Sequence, residues 1–247
     1  MNVNAFETII FEKKDRIGRI TLNRPDVLNV YNIRMRDELY EALEEVKIDD
    51  EIRVLLLQGA GEKAFCAGAD LSEFLTAPSP TVARHVRWRR DIWGLFLSLP
   101  QPVIAVLHGY VIGSGIEMAM CCDIRIAAAD CIFALPEVSL GIIPAAGATQ
   151  TVPRTIGPGH ALDILLSGRR ISSNEALEMR LVNRVVPRQR LTAVAEAIAG
   201  RIASRNPGVV RAIKQAVVRG MDLTMTEGLQ MERRLYLRLT GFKPPAR

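Results

Sequence analysis

The sequence predicts an α/β fold that finishes in an all-helical region. Short apolar runs of strand character recur up to Val186, amphipathic helical stripes alternate with them, and from Leu191 onward only helical spacing remains. Taken in order, Ile17-Gly18-Arg19-Ile20-Thr21-Leu22 alternates as a strand with one buried face. After Asn32, a plausible cap, Met35, Leu39, Leu43 and Val46 fall on one helical face. Val54 to Leu57 and Val103 to Leu107 are continuous apolar runs, the pattern of strands buried on both faces. Trp88, Ile92, Leu95, Phe96 and Leu99 form a helical stripe that ends at Pro100. From Val103 the chain passes through His108-Gly109-Tyr110-Val111-Ile112-Gly113-Ser114-Gly115 into a helix beginning near Ile116. Such a turn leaves the first N–H groups of the helix without intrahelical partners, a place for an anion or a developing oxyanion. Ile124 to Ala127, Ile132 to Ala134 and Val182 to Val186 are short strands, and Leu191, Val194, Ile198 and Ile202 open the helical C-terminal region.

Composition narrows the class. The 247 residues, 49% hydrophobic and 24% charged, form an ordinary globular mixture without low-complexity tracts, long linkers or short-period repeats. The net charge of +5 is uneven: from Arg201 onward ten Lys or Arg face only Asp222, Glu227 and Glu232. A basic region of this kind suits nucleic acid, an anionic membrane surface or a small polyanion, and charge alone does not choose among them. Cys66, Cys121, Cys122 and Cys131 form no C-x-x-C pair, which suits buried free thiols in a reducing, cytoplasmic setting. His85, His108 and His160 sit at no ligand spacing from a cysteine, so no metal site is expected. No secretory signal opens the chain, because Glu7, Glu12, Lys13 and Lys14 interrupt any apolar stretch. The uncharged stretch from Ile92 to Ile116 contains Pro100, Pro102, Gly109, Gly113 and Gly115, so no membrane span is expected.

Two nucleotide motifs fail on inspection. Gly113-Ser114-Gly115 lacks the third glycine of a dinucleotide fingerprint, position 118 being Met, and Gly59-Ala60-Gly61-Glu62-Lys63 lacks the spacing and hydroxyl residue of a phosphate loop. What remains is Ala64-Phe65-Cys66-Ala67-Gly68-Ala69-Asp70-Leu71, then Gly113-Ser114-Gly115-Ile116-Glu117, then Leu135-Pro136-Glu137. Two small-residue turns can each present a backbone N–H to one carbonyl oxygen, and two carboxylates follow them. These are parts for acid/base chemistry on a thioester or similar carbonyl. A glutamate taken singly is more often a surface or salt-bridged residue. Glu117 departs from that norm because Ile116, Met118, Ala119 and Met120 surround it, where a carboxylate is costly.

These residues resemble the enoyl-CoA hydratase/isomerase (crotonase) superfamily. The likeness runs from Leu22-Asn23-Arg24-Pro25 through both turns to Gly141-Ile142-Ile143-Pro144 and Ala176-Leu177-Glu178-Met179-Arg180-Leu181-Val182, most of the chain. It implies a crotonase-like (ClpP/crotonase) α/β spiral of repeated β-β-α units over residues 1–190, and a helical oligomerisation region over 191–247. Assembly as a homotrimer or homohexamer is implied as well. In such a protein Ala67 and Ser114 would supply the oxyanion-hole N–H groups, Ala67-Gly68-Ala69-Asp70 the CoA-thioester binding loop, and Val27 and Leu28 a wall of the nucleotide pocket. Glu117 would act as base toward water and Glu137 would exchange the proton at C2. The substrate would be an acyl-CoA, and no cofactor would be needed. Adding water across a polarised C=C requires a proton taken from oxygen and another given to carbon, so two carboxylates favour hydration over a double-bond shift.

The chain departs from the family pattern in places. Pro144-Ala145-Ala146-Gly147-Ala148-Thr149-Gln150 has Ala145 where Gly is usual, a strained choice if that position needs positive φ. Ser114 replaces a common glycine, and Asn29-Val30-Tyr31-Asn32 stands for the usual Asn-Ala-Leu-Asn. After Leu239-Thr240-Gly241 the last helix that often closes the CoA site is not evident. Two alternatives stay open: an enoyl-CoA isomerase, and a degenerate relative acting as a scaffold or binding RNA through the basic stretch Arg84-His85-Val86-Arg87-Trp88-Arg89-Arg90. Leu71, Phe74, Trp93, Phe133 and Leu140 are as credible in the core as in an acyl pocket.

Overall fold

A computed structural model describes residues 6–73 and 89–241. Strands β1 (Ile9–Lys14) and β2 (Ile17–Leu22) form an antiparallel hairpin, and α1 (Ile33–Ile48) follows. Asn32 caps α1 as expected, its Oδ1 accepting the Met35 N–H at 2.8 Å. Met35, Leu39, Leu43 and Val46 are fully buried, each contributing roughly 1.5–3 kcal/mol of apolar burial.

The spiral is built next. Strands β3 (Val54–Gly59), β5 (Val103–Leu107) and β7 (Ile124–Ala128) each lead into a short partner, β4 (Ala64–Cys66), β6 (Tyr110–Ile112) and β8 (Ile132–Ala134). The long strands join one sheet in the order β1-β2-β3-β5-β7-β10, where β10 is Arg184–Val186; the short ones join a second in the order β4-β6-β8-β9, where β9 is Ile171–Ser172. Each turn therefore gives one strand to each sheet. Within the small sheet β4, β6 and β8 run parallel. The turns also carry helices α2 (Ile92–Ser98), α3 (Ser114–Met120), α4 (Ala148–Ile156) and α5 (Pro158–Ser167), and α6 (Ser173–Glu178) follows β9.

Several element boundaries differ from the sequence reading. Helix α2 begins after Asp91, whose Oδ1 accepts the Gly94 N–H at 3.0 Å, while the Trp88 end of the expected stripe lies outside the described residues. Helix α3 begins at Ser114 rather than near Ile116, and β10 starts at Arg184. Of the five possible pocket residues, Phe133 is buried in the core, Trp93 packs against it, and Leu71 and Leu140 are exposed; Phe74 lies outside the described residues.

Helix α7 (Leu191–Ala203) buries Leu191, Ala195, Ile198, Ala199 and Ala203 in the same core as the sheets. Helices α8 (Pro207–Gly220) and α9 (Met225–Thr240) pack mainly on one another. α8 buries none of its own residues; Lys214 ties it to the body, donating to Asp123 Oδ2 at 2.6 Å and to the Gln101 carbonyl at 2.9 Å. No helix among the described residues is long and apolar enough to cross a membrane, and they include no cluster of three or more His, Cys, Asp or Glu that could hold a metal ion.

Candidate active site

Glu117 lies on α3, a helix whose seven residues are all buried, and is itself 3% exposed. Its carboxylate is not left to the apolar surroundings: Oε1 accepts the N–H groups of Ala146 at 2.8 Å and Ala148 at 3.2 Å. Gly147 between them has φ +113°, a left-handed conformation that favours glycine and lets both neighbouring N–H groups converge on one oxygen. The Ala148 N–H opens α4, so the carboxylate also sits at the positive end of that helix. Sequence reasoning weighed this loop only for Ala145 and missed its grip on Glu117. The glycine just before a helical stretch was the available signal.

Glu137 follows Pro136 in a 3₁₀ turn, Pro136–Leu140, immediately after β8. It is half-buried, and its Oε2 is buried with no hydrogen-bond partner among the described residues. Burial raises its pKa above the usual carboxylate value, opposed in part by its own backbone N–H. A half-buried carboxyl held toward its protonated form is suited to giving up a proton at carbon.

Gly113 touches the backbone of one acid and lies against the carboxyl of the other. Its carbonyl accepts the Glu117 N–H at 3.0 Å, its N–H donates to Ala134 O at 2.9 Å, and a Cβ placed on it would lie 2.9 Å from Glu137 Oε1. The same Cβ would be 3.7 Å from the Cα of Gly68, so the two small-residue turns expected from the sequence do meet. Ser114, the first residue of α3, directs its N–H out of the helix beside this junction.

The other expected donor is placed differently. The Ala67 N–H donates to Leu28 O at 3.0 Å and is thereby committed within the protein. Gly68 O then accepts from Tyr31 N at 2.8 Å and Tyr31 O accepts from Asp70 N at 2.8 Å, a parallel bridge centred on Ala69. In such a bridge the central residue's own N–H turns to the opposite edge. The Ala69 N–H has no acceptor among the described residues. The free donor of this loop is therefore beyond Ala67, because Ala67 is spent on holding Leu28.

Val27 and Leu28 are brought beside the 67–70 loop by that bond; Val27 is 45% exposed. Asp70 accepts from the Ser72 hydroxyl at 2.6 Å and from Arg24 Nη1 at 3.0 Å, which together hold its pKa below the ordinary value, Ser72 foremost. Tyr31 and Trp93 pack with ring centroids 5.7 Å apart. Ala145 is exposed and does not adopt positive φ, so its replacement of the usual glycine introduces no backbone strain. Within the basic stretch, Arg84 to Trp88 lie outside the described residues. Arg90 is engaged internally, donating to the Asp37 carbonyl at 3.3 Å and to Glu41 Oε1 at 3.2 Å, with its guanidinium 5.8 Å from the centre of the Tyr40 ring.

Comparison with known proteins identifies the family. Residues 12–241 match the family model described as enoyl-CoA hydratase/isomerase. The chain belongs to the enoyl-CoA hydratase/isomerase family. It is 38% identical over 229 residues to a crotonyl-CoA hydratase of Syntrophomonas wolfei, covering 92% of this chain and 88% of that one. A short-chain-enoyl-CoA hydratase of Clostridium acetobutylicum is 38% identical over 224 residues, with 91% and 86% covered. The crystal structure of an enoyl-CoA hydratase from Bacillus anthracis superposes with a TM-score of 0.90 at 40% identity, covering 96% of this family member and 92% of that chain.

Proposed function

We propose that this family member reversibly hydrates a 2-enoyl-CoA thioester to a 3-hydroxyacyl-CoA. The observation that carries the reading is the Gly113 turn, which lies against the half-buried Glu137 carboxyl of raised pKa and opens the short buried helix that carries Ser114 and Glu117. Glu117 takes a proton from water as its oxygen bonds to C3, and Glu137 gives a proton to C2. The negative charge that develops on the thioester oxygen between these events is held by the Ser114 and Ala69 N–H groups, Ala69 taking the role expected of Ala67. Each turnover moves one proton onto Glu117 and one off Glu137, and exchange with solvent restores both. The balance closes with water and two carboxyls, so the reaction as written uses no cofactor.

Gly68, Ala69 and Asp70 with Val27 and Leu28 would line the path of the CoA moiety. Short acyl chains are the first choice, since the relatives from S. wolfei and C. acetobutylicum are named for crotonyl-CoA and short-chain substrates. We also assign a cytoplasmic location, supported by four buried free thiols, and assembly as a trimer or pair of trimers, supported by apolar residues left exposed on α8, among them Ile213, Val217 and Val218. The test is loss of the conjugated enoyl-thioester absorbance of crotonyl-CoA, run beside Glu117→Gln and Glu137→Gln. Loss that each variant slows by about 10²-fold or more supports the reading. Binding without absorbance loss would redirect it to double-bond isomerisation, and no binding at all would redirect it to a scaffold or RNA-binding role.

A further inference from the structure

The 67–70 loop does not hold its own shape. It is splinted by residues 24–31, and the splint depends on one side chain that the proposed reaction leaves unused. Asn29 is completely buried and, like Leu28 before it, adopts a left-handed conformation, with φ 55° and 57° respectively. Its Oδ1 accepts the Arg24 N–H at 2.8 Å while its own N–H donates to Arg24 O at 2.9 Å, a reciprocal clasp that closes the turn. Its Nδ2 donates to Ala60 O at 2.8 Å and Ala64 O at 2.9 Å, at the end of β3 and the start of β4. One amide thus fastens the splint to the strand that runs into the loop. Beyond it, Leu28 O receives the Ala67 N–H and Tyr31 brackets Ala69. At the far end Arg24 reaches back, donating through Nη1 to Val30 O at 2.8 Å and Asp70 Oδ2 at 3.0 Å.

We infer that Asn29 is a positioning residue for the oxyanion hole: through Leu28 and Tyr31 it sets where the Ala69 N–H points. Left-handed backbone at two successive non-glycine residues persists only where the surroundings over-determine it, and here the Asn29 amide is what does so. Asn tolerates this conformation better than most residues and also supplies an acceptor oxygen and an NH2 that donates twice, a set no other side chain but glutamine's longer amide offers. The role rests on the hydration reading above, yet it can be tested apart from turnover.

Two full-length variants suffice. Asn29→Asp keeps the shape and the acceptor for Arg24 but turns a second oxygen toward the Ala60 and Ala64 carbonyls. Asn29→Gly keeps the backbone freedom and removes all three side-chain bonds. The primary readout is the C=O stretch of bound, carbonyl-¹³C butyryl-CoA by infrared difference spectroscopy. This thioester has no C=C to hydrate, and donation from two N–H groups lowers its carbonyl frequency. Only bound ligand contributes, so a smaller folded fraction weakens the band without moving it. The expected result is a band displaced in the wild type and returned part-way toward its aqueous position in both variants, with kcat on crotonyl-CoA down about tenfold or more and KM within about threefold. If one variant does not fold, the other decides. A wild-type band position in a folded variant, or a loss confined to KM, overturns the assignment. Should the wild type displace the butyryl-CoA band but fail to hydrate crotonyl-CoA, the reaction assignment falls while the positioning role is still judged by the band.

Discussion

Gly113→Ala puts the geometry of the junction at risk with a single methyl group. Gly113 has φ 51° and ψ −117°, a backbone conformation that L side chains rarely adopt, so alanine there costs roughly 1–3 kcal/mol before any contact is counted. The new Cβ would also stand 2.9 Å from Glu137 Oε1, closer than a carbon and a carboxylate oxygen rest. That oxygen is the end of a flexible side chain, and it can retreat by a few tenths of an ångström. The backbone strain therefore falls on stability and the displaced carboxyl on catalysis. For a chain of this size each kcal/mol lowers Tm by about 2–4 °C, so thermal unfolding should show a fall of roughly 2–12 °C. With Glu137 as the proposed proton donor, moving it off its line at C2 should lower kcat on crotonyl-CoA about tenfold to a hundredfold. Glu137→Asp withdraws the carboxyl from the methyl group, and in a double-mutant cycle the two substitutions should be less than additive. Full kcat in Gly113→Ala, or strict additivity with Glu137→Asp, would refute the idea that Gly113 sets the position of Glu137.

In the proposed mechanism hydration requires protonated Glu137, so its rate should fall as pH rises through the raised Glu137 pKa while dehydration gains, and Glu137→Gln should lose that limb of the profile. The same shift carries a stability sign. A folded pKa above the unfolded one means the folded state binds the proton more tightly, so this contribution is present below the unfolded pKa and lost as pH rises through the folded pKa. Denaturant titrations should accordingly show Glu137→Gln gaining stability relative to wild type between acid and neutral pH. Burial pushes the thiols of Cys66, Cys121 and Cys131 up to about 12, and Cys122 is likewise raised and buried. A thiol-disulfide reagent at pH 8 should leave all four unmodified in the native protein and modify all four after denaturation. Ala145→Gly should leave kcat unchanged and lower stability by about 0.4–1 kcal/mol, because it adds only unfolded-state freedom at a position that already avoids positive φ. Thr224→Ala removes the capping box that Thr224 and Glu227 form at the start of α9 and should cost about 1 kcal/mol in thermal or denaturant unfolding.

Legibility in the sequence followed how local each cause was. The β2, β5 and β8 runs carry their own pattern and were readable to the residue; β1 was not, since of its six residues only Ile9 is buried and Phe11 partly so, and Glu12, Lys13 and Lys14 hide the alternation. The acids announced themselves by type and by apolar surroundings. The donors did not, because whether an N–H is free depends on a partner distant in the chain: Ala67 is satisfied by Leu28 and Ala69 is turned outward by Tyr31. The hold of Ala146 and Ala148 on Glu117 is equally long-range, and Gly147 before a helical stretch was its one local sign, which names no partner.

The site draws its parts from the small sheet in a simple order. β4, β6 and β8 lie side by side and parallel, and their carboxyl ends deliver the 67–70 loop, the Gly113-Ser114 turn and Glu137 respectively. This is the edge at which parallel sheets generally present ligand sites, since the strands stop together and the chain must turn there. β6 is central, so its register fixes both neighbours: Ile112 pairs with Ala134 on one side, and Cys66 pairs with Val111 on the other after a shift at Phe65. Two residues of β4 thereby span one step of β6, the mark of a bulge, and such an insertion re-aims everything that follows it. The loop leaving β4 is thus turned toward Gly113 by strand pairing and then held there by the splint. On the proposed reading the oxyanion donor at Ala69 acquires the precision of a sheet in this way, which is why its position should be sensitive to the buried amide at Asn29.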